Sequence, residues 1–345
     1  MSLDMCCASL VAARSISTTR RPIPEPGRGE VRLRIEACGL CGTDLRFYHA
    51  GPIFSGTAPG HEMMGSVDEL GDGVVGFATG DRVVVEPLQS CGRCDYCRNG
   101  RDSICPELQV FGIHRDGGFA EFVTLPAKRL FRVPDGIDPH VAALAEPMAV
   151  AVHGLRLGSL QPGQRVLVLG AGTIGLMTAQ AAAALGAGEV VLTARYPHQA
   201  ELGRHLGADR VLTEDEASPG GLQKLGSEGP IDLVVETVGG TADTLRGAAT
   251  AVRPGGAISV LGLFDGEITL NALPLFLKEN SLVWSNCYGR TPDGADFAAA
   301  VDIVAKHRDA LGPVVTHRVP LNEIEHAFEL AGDKTAGVVK VSIHP

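Results

Sequence analysis

Polar and apolar residues alternate strictly in segment 30–37, where Val31, Leu33 and Ile35 interleave with Arg32, Arg34 and Glu36. That two-residue period predicts a strand with one buried face. DRVVVE at 81–86 and FAEFVT at 119–124 predict further strands, separated by glycine-rich turns, so the first third reads as antiparallel β-structure. Near residue 146 the pattern changes, and short apolar runs begin to alternate with helical segments. RVLVL at 165–169 leads into a helix ending near Leu185, with Gly186 as its stop signal. EVVLT at 189–193 precedes a helix through His205, and RVL follows at 210–212. IDLVVE at 231–236, AISVLG at 257–262 and SLVWSN at 281–286 complete six strands. Strands and helices in alternation predict an α/β region built on a doubly wound parallel sheet. Beyond Arg290 come a helix, a strand near Val314, a helix through Leu330 and the strand GVVKVS, expected to return to the first region. The expected spans are 1–150, 151–288 and 289–345, with no internal repeat.

Composition narrows the class. A chain of 345 residues exceeds one ordinary core, and 45% hydrophobic with 20% charged residues describes a soluble globular protein. A net charge of −10 without a basic patch excludes nucleic acid as the expected partner. No apolar run reaches membrane-spanning length. The first twenty residues are rich in Ser and Arg but contain Asp4 and no long apolar stretch, and they lead into a first β-hairpin rather than a secretory signal. A cytoplasmic location is expected. Nine cysteines, an odd number, fit reduced thiols and metal binding better than a disulfide framework.

Four of those cysteines carry the first chemical signal. Cys91, Cys94, Cys97 and Cys105 read C-x2-C-x2-C-x7-C. One tight loop can deliver three thiolates to a point and a short excursion the fourth, which closes a tetrahedral structural zinc site. Directly after RVLVL stands Gly170-Ala171-Gly172-Thr173-Ile174-Gly175, a GxGxxG between a buried strand and a helix. Gly170 permits the turn, Gly172 lets the backbone approach a pyrophosphate, and Gly175 lets the helix pack closely. At the end of the second strand, where an acid would bind a ribose 2′-hydroxyl, the chain has Thr193-Ala194-Arg195. Loss of the carboxylate at Ala194 and gain of the Arg195 guanidinium favour a 2′-phosphate, hence NADP(H), with His198 as an added contact. A second, open metal site is assembled from Cys41 in GLCGTD, His61 and Glu62 in PGHEMMG, and Glu146 in LAEPMAVAVHG. Thiolate, imidazole and carboxylate with one position left for water or substrate suit catalytic zinc.

Cys41-Gly-Thr-Asp, Gly60-His61-Glu62, Gly80-Asp81-Arg82-Val83, the four-cysteine lobe, Glu146-Pro147 and the GxGxxG occur in one order. In that order the chain resembles the zinc-dependent medium-chain dehydrogenases over nearly its whole length. Glu62 after His61, together with Glu146, makes it more similar to the polyol and threonine branch than to ethanol dehydrogenases, and LGPVVTHRVPLNEIEHAFEL resembles the C-terminal segment of sorbitol dehydrogenases. The resemblance implies a GroES-like catalytic region in 1–150 and 289–345, a Rossmann region in 151–288, and one catalytic and one structural zinc. It implies Cys41, His61 and Glu62 as zinc ligands and Glu146 as an exchangeable one. Thr43 would pass the alcohol proton outward, and Asp44 would orient the His61 imidazole. Many relatives have His where this chain has Arg46, so His49 or the cofactor ribose and water would take over the outer relay. Arg290 would meet a substrate hydroxyl or a cofactor phosphate. Phe47, Phe54, Phe111 to His114 and the Tyr288 region would line the pocket. The implied reaction interconverts a secondary alcohol and its ketone, in a dimer or tetramer joined through 281–286. Amino alcohols are the alternative substrates. A non-enzymatic NADPH sensor is the alternative class.

Overall fold

The computed structural model describes residues 4–51, 56–291 and 294–345. The chain divides into two compact units, Met1–Glu146 with Val304–Pro345, and Pro147–Ile303. The chain thus leaves the first unit a few residues before 150 and returns well after 289. The later return has a local cause. Asp296, at the start of the helix Asp296–Lys306, accepts a hydrogen bond from His153 Nδ1 at 2.7 Å. Phe297 meets the Tyr288 ring edge-on at 5.4 Å. Both contacts hold the segment after 289 to residues of the second unit.

In the first unit, Asp4–Ala12 and Ser15–Pro22 form an antiparallel hairpin. The strand Glu30–Gly39 is the hub of the main sheet, pairing with Glu62–Leu70, with Phe122–Pro126 and, at its end, with Lys340–His344. The strand Lys340–His344 thus lies in this sheet. Val31, Leu33 and Ile35 are buried at 3% exposure or less, in one cluster with Val67, Val123, Leu125 and Ile343. Lys340–His344 is buried at four of its five positions. It is a covered strand, not the half-exposed one that an embedded lysine suggests.

In the second unit we label the strands β1 (Arg165–Leu169), β2 (Glu189–Thr193), β3 (Arg210–Leu212), β4 (Ile231–Glu236), β5 (Val252–Val260) and β6 (Ser281–Trp284). Their order is 3-2-1-4-5-6 and every pairing is parallel. This is the doubly wound order whose crevice opens between β1 and β4, where successive crossovers run to opposite sides. Among the described residues no helix is long and apolar enough to cross a membrane.

Candidate active site

Gly39 shows how the first unit builds its site. It pairs with Glu62 on one side and with Ser342 on the other. A β-carbon at Gly39 would overlap the Glu62 carboxylate. Its absence opens a passage along which Glu62 meets Lys340, whose Nζ donates to both carboxylate oxygens at 2.7 Å and to the Leu40 carbonyl at 3.1 Å. Glu62 is 1% and Lys340 3% exposed. A bare ion of either sign would be costly there, so each stabilises the other.

Cys41 stands at the N-cap of the helix Gly42–Ala50, and Asp44 in its first turn accepts the Cys41 backbone N–H at 2.9 Å. Thr43 lies half-buried in the same turn. One ligand atom each from Cys41, His61 and Glu62 come within 4.8 Å of one another. His61 is buried, and its Nδ1 lies 3.7 Å from Asp44 Oδ1, neither atom having a hydrogen-bond partner. Burial opposes a charged imidazole, yet the negative groups Asp44, Cys41 and Glu146 hold His61 well above its ordinary value. Burial raises the Asp44 carboxyl. The surroundings favour a cation, and the thiol, imidazole and carboxylate donors fit Zn2+. Asp44 stands where a slight closure would orient the ring through Nδ1.

Glu146 is buried in the first turn of the helix Ala145–Leu157 but is outside the Cys41–His61–Glu62 group. Its charge reaches His61 and Lys340. Arg46 and His49 are exposed. Of the expected pocket residues, Phe47 is half-buried, whereas Phe111 is core at 3% exposure and Tyr288 is fully buried. Phe54 lies outside the described residues.

In the cysteine lobe the Sγ atoms of Cys91 and Cys97 are 3.9 Å apart, those of Cys94 and Cys97 3.4 Å, and those of Cys94 and Cys105 3.9 Å. A tetrahedron with metal–sulfur arms of about 2.3 Å has edges of roughly 3.8 Å. All four cysteines are free thiols at separations far beyond a sulfur–sulfur bond. The backbone N–H groups of Arg93 and Cys94 lower the Cys91 thiol to about 6, while burial and the Cys94 contact push Cys97 up to about 12. A dication would be needed to hold all four as thiolates. Buried Arg129 ties the lobe to the sheet, donating to Glu86 Oε2 at 2.7 Å, Ser90 Oγ at 2.9 Å and Asp102 Oδ2 at 3.4 Å.

At the switch point of the second unit, Gly170 has φ of 100° and donates its N–H to Thr193 Oγ1 at 2.8 Å. A β-carbon on Gly172, the N-cap of the helix Thr173–Ala184, would meet nothing within 4 Å, leaving its approach open. A β-carbon on Gly175 would overlap the Gly170 carbonyl. Thr173 and Ile174 form the first turn of that helix, and the backbone N–H groups at a helix N-terminus suit phosphate. Ala194 is buried and Arg195 exposed, its Nε 3.7 Å from Glu214 Oε2. Tyr196 stacks on His198 at 5.6 Å, and His198 Nε2 is buried without a hydrogen-bond partner. Arg290 is exposed on a two-residue strand paired with Gly294–Ala295.

The sequence reading missed Lys340, Gly39, Arg129 and Asp296. Only Lys340 leaves a trace, as a lysine embedded in the apolar run GVVKVSI.

Comparison with known proteins agrees with this architecture. Residues 27–135 match the alcohol dehydrogenase GroES-like domain, and residues 173–306 match the zinc-binding dehydrogenase family. The chain is 31% identical to the sorbitol dehydrogenase of Bacillus subtilis, across 99% of this chain and 98% of that protein. It is also 31% identical to the L-threonine 3-dehydrogenase of Shewanella oneidensis, across 97% and 98%. A solved structure from Sinorhizobium meliloti, assigned as a zinc-binding dehydrogenase and bound to NADP, superposes with a TM-score of 0.89 at 32% identity, covering 99% of this chain and all of that one. With both units and both motif sets accounted for, the chain belongs to the zinc-dependent medium-chain dehydrogenases, in the branch of the sorbitol and threonine enzymes, as a zinc-type NAD(P)-dependent alcohol dehydrogenase.

Proposed function

We propose that the protein interconverts a secondary alcohol of a polyhydroxy compound, such as a sugar alcohol or cyclitol, with its ketone, and prefers NADP(H). The observation that carries the substrate class is the carboxylate-rich surroundings of Cys41 and His61, with Glu62 in their group and the charge of Glu146 close by. Glu62 is committed to Lys340, and Glu146 offers the acceptor for a second hydroxyl, which an apolar pocket does not. Similarity to a sorbitol dehydrogenase supports the same class.

Cys41, His61 and Glu62 would hold a zinc ion, with Glu146 as a further ligand, and the bound metal would supply Lewis-acid polarisation of the substrate oxygen as the dinucleotide would supply the hydride partner. Asp44 orients the His61 ring. Thr43 receives the hydroxyl proton and passes it outward. The loop Gly170–Gly175 seats the pyrophosphate on a helix N-terminus. Arg195, whose contact with Glu214 is long and exposed, would pair with the 2′-phosphate. Arg290 donates to the bound cofactor or to a second substrate hydroxyl. The four-cysteine lobe would hold a structural zinc.

The substrate test compares kcat/KM for a polyol panel with that for 2-butanol, using NADP+. The polyol is expected to win. A tenfold preference for 2-butanol, about 1.4 kcal/mol of transition-state binding, would overturn the reading. A preference for threonine-like amino alcohols, which an equally similar relative suggests, would move the substrate to that class.

Arg195→Ala is expected to weaken NADP+ by about 10- to 100-fold, the loss of a charge-assisted contact of roughly 1.5–3 kcal/mol. NAD+ should change little. Equal efficiency of the wild type with both cofactors would contradict the assignment.

The edge strand β6, which ends the sheet, supports an assembly through it. Trp284 on this edge is 54% exposed, and the nearby helix Ala272–Leu277 exposes Leu273, Phe276 and Leu277 by 62%, 76% and 71%. An apolar edge strand favours pairing, so light scattering at micromolar concentration is expected to give a dimer or tetramer. A monomer would argue against β6 as an interface.

A further inference from the structure

We propose that Asp296 is a positioning residue that presets Arg290 for its ligand. This inference rests on the ligand-binding role given to Arg290 above. The chain leaves β6 through Cys287, whose φ of 54° is a left-handed conformation strained for a residue with a β-carbon. Tyr288 follows, fully buried with its ring edge-on against Phe297. Gly289 donates its N–H to Asp296 Oδ2 at 2.9 Å, and the Asp296 N–H returns to the Gly289 carbonyl at 3.0 Å. These two bonds close the base of the ladder in which Arg290 pairs with Ala295 and Thr291 with Gly294.

The acceptor at this base is itself held from the other side. Asp296 is 1% exposed, His153 Nδ1 reaches its Oδ2 at 2.7 Å, and Arg156 donates to its Oδ1. Burial opposes its charge, but the hydrogen bonds from His153, Gly289 and Arg156 hold the carboxyl below its usual range. A charged acceptor fixed by three donors outlasts thermal motion better than a lone backbone contact. It therefore keeps the backbone after the strained Cys287 from relaxing, and Arg290 enters binding with the course of its strand already set. Preorganisation of this kind strengthens binding by reducing the ordering required when the ligand arrives.

The test is a double-mutant cycle on Asp296→Ala and Arg290→Ala. It reads NADPH affinity by cofactor fluorescence and polyol KM by turnover. Hydrogen exchange of residues 287–291 is followed in the ligand-free protein. Arg290→Ala weakens one of the two ligands, and Asp296→Ala is expected to weaken the same ligand about fivefold while speeding exchange at Gly289 and Arg290. In the Arg290→Ala background the Asp296 substitution should cost nothing further. If Asp296→Ala does not fold, Asp296→Asn enters the same cycle, with a smaller effect and the same lack of additivity. Additive losses would make Asp296 merely structural and overturn the proposal, as would an unchanged affinity in the Asp296 variant beside a loss in Arg290→Ala. No loss in Arg290→Ala would overturn both the proposal and the role of Arg290 on which it rests.

Discussion

Replacing Cys41 with serine is expected to abolish turnover while leaving a folded chain with about one zinc in place of about two. Cys41 is half-buried at a helix N-cap, and its backbone N–H is held by Asp44 whatever the side chain. Serine therefore fits the turn. What it removes is the soft donor opposite His61, and with it metal retention. Loss of Lewis-acid assistance worth several kcal/mol corresponds to at least about a thousandfold in kcat/KM. The matching variant Cys97→Ser should lose the other zinc and lower solubility or oligomer integrity, because the lobe then contains three thiols without a common partner. Metal analysis with activity on both proteins separates the two sites. Wild-type turnover in Cys41→Ser would show that the chemistry lies elsewhere.

Lys340→Met is expected to produce the largest stability loss. The ammonium contacts both oxygens of Glu62 inside the first unit, with both residues essentially sealed from water. Removing one member of a buried pair leaves an uncompensated charge and costs about 3–5 kcal/mol. Glu62→Gln should cost less, because the lysine keeps the Leu40 carbonyl as an acceptor at 3.1 Å. The double variant Lys340→Met with Glu62→Gln should regain part of the loss. Denaturant midpoints of the metal-free proteins provide the measure. A midpoint for Lys340→Met equal to that of the wild type would show that Glu62 carries no charge needing compensation. Gly39→Ala should lose stability for a different reason, since its methyl would enter the space of the Glu62 carboxylate.

Local patterns made much of this legible. The alternation at 31–36 marks a strand because side-chain direction reverses at every residue. The six apolar runs mark parallel strands because both faces of such a sheet are covered. Cys91 to Cys105 and Gly170 to Gly175 declare their chemistry because all their parts lie within one loop. Cys41, His61 and Glu62 are recognisable only as two separate motifs, GLCGTD and PGHEMMG, taken in order. The pairing of Glu62 with Lys340 had no such signal, because its members are 278 residues apart.

By itself the sequence determined the class of each region, the glycine turn, the cysteine lobe and the donor types available to a metal. These follow from periodicity and from spacing shorter than a single loop. The tertiary structure alone decided that Lys340 neutralises Glu62 across Gly39, that Glu146 stands outside the Cys41–His61–Glu62 group, that Phe111 and Tyr288 are buried, and that Asp296 joins 289–303 to the second unit. Each depends on which strands and helices become neighbours. That choice is made by burial over the whole chain, and a one-residue change of strand register would turn Glu62 and Lys340 to the opposite face.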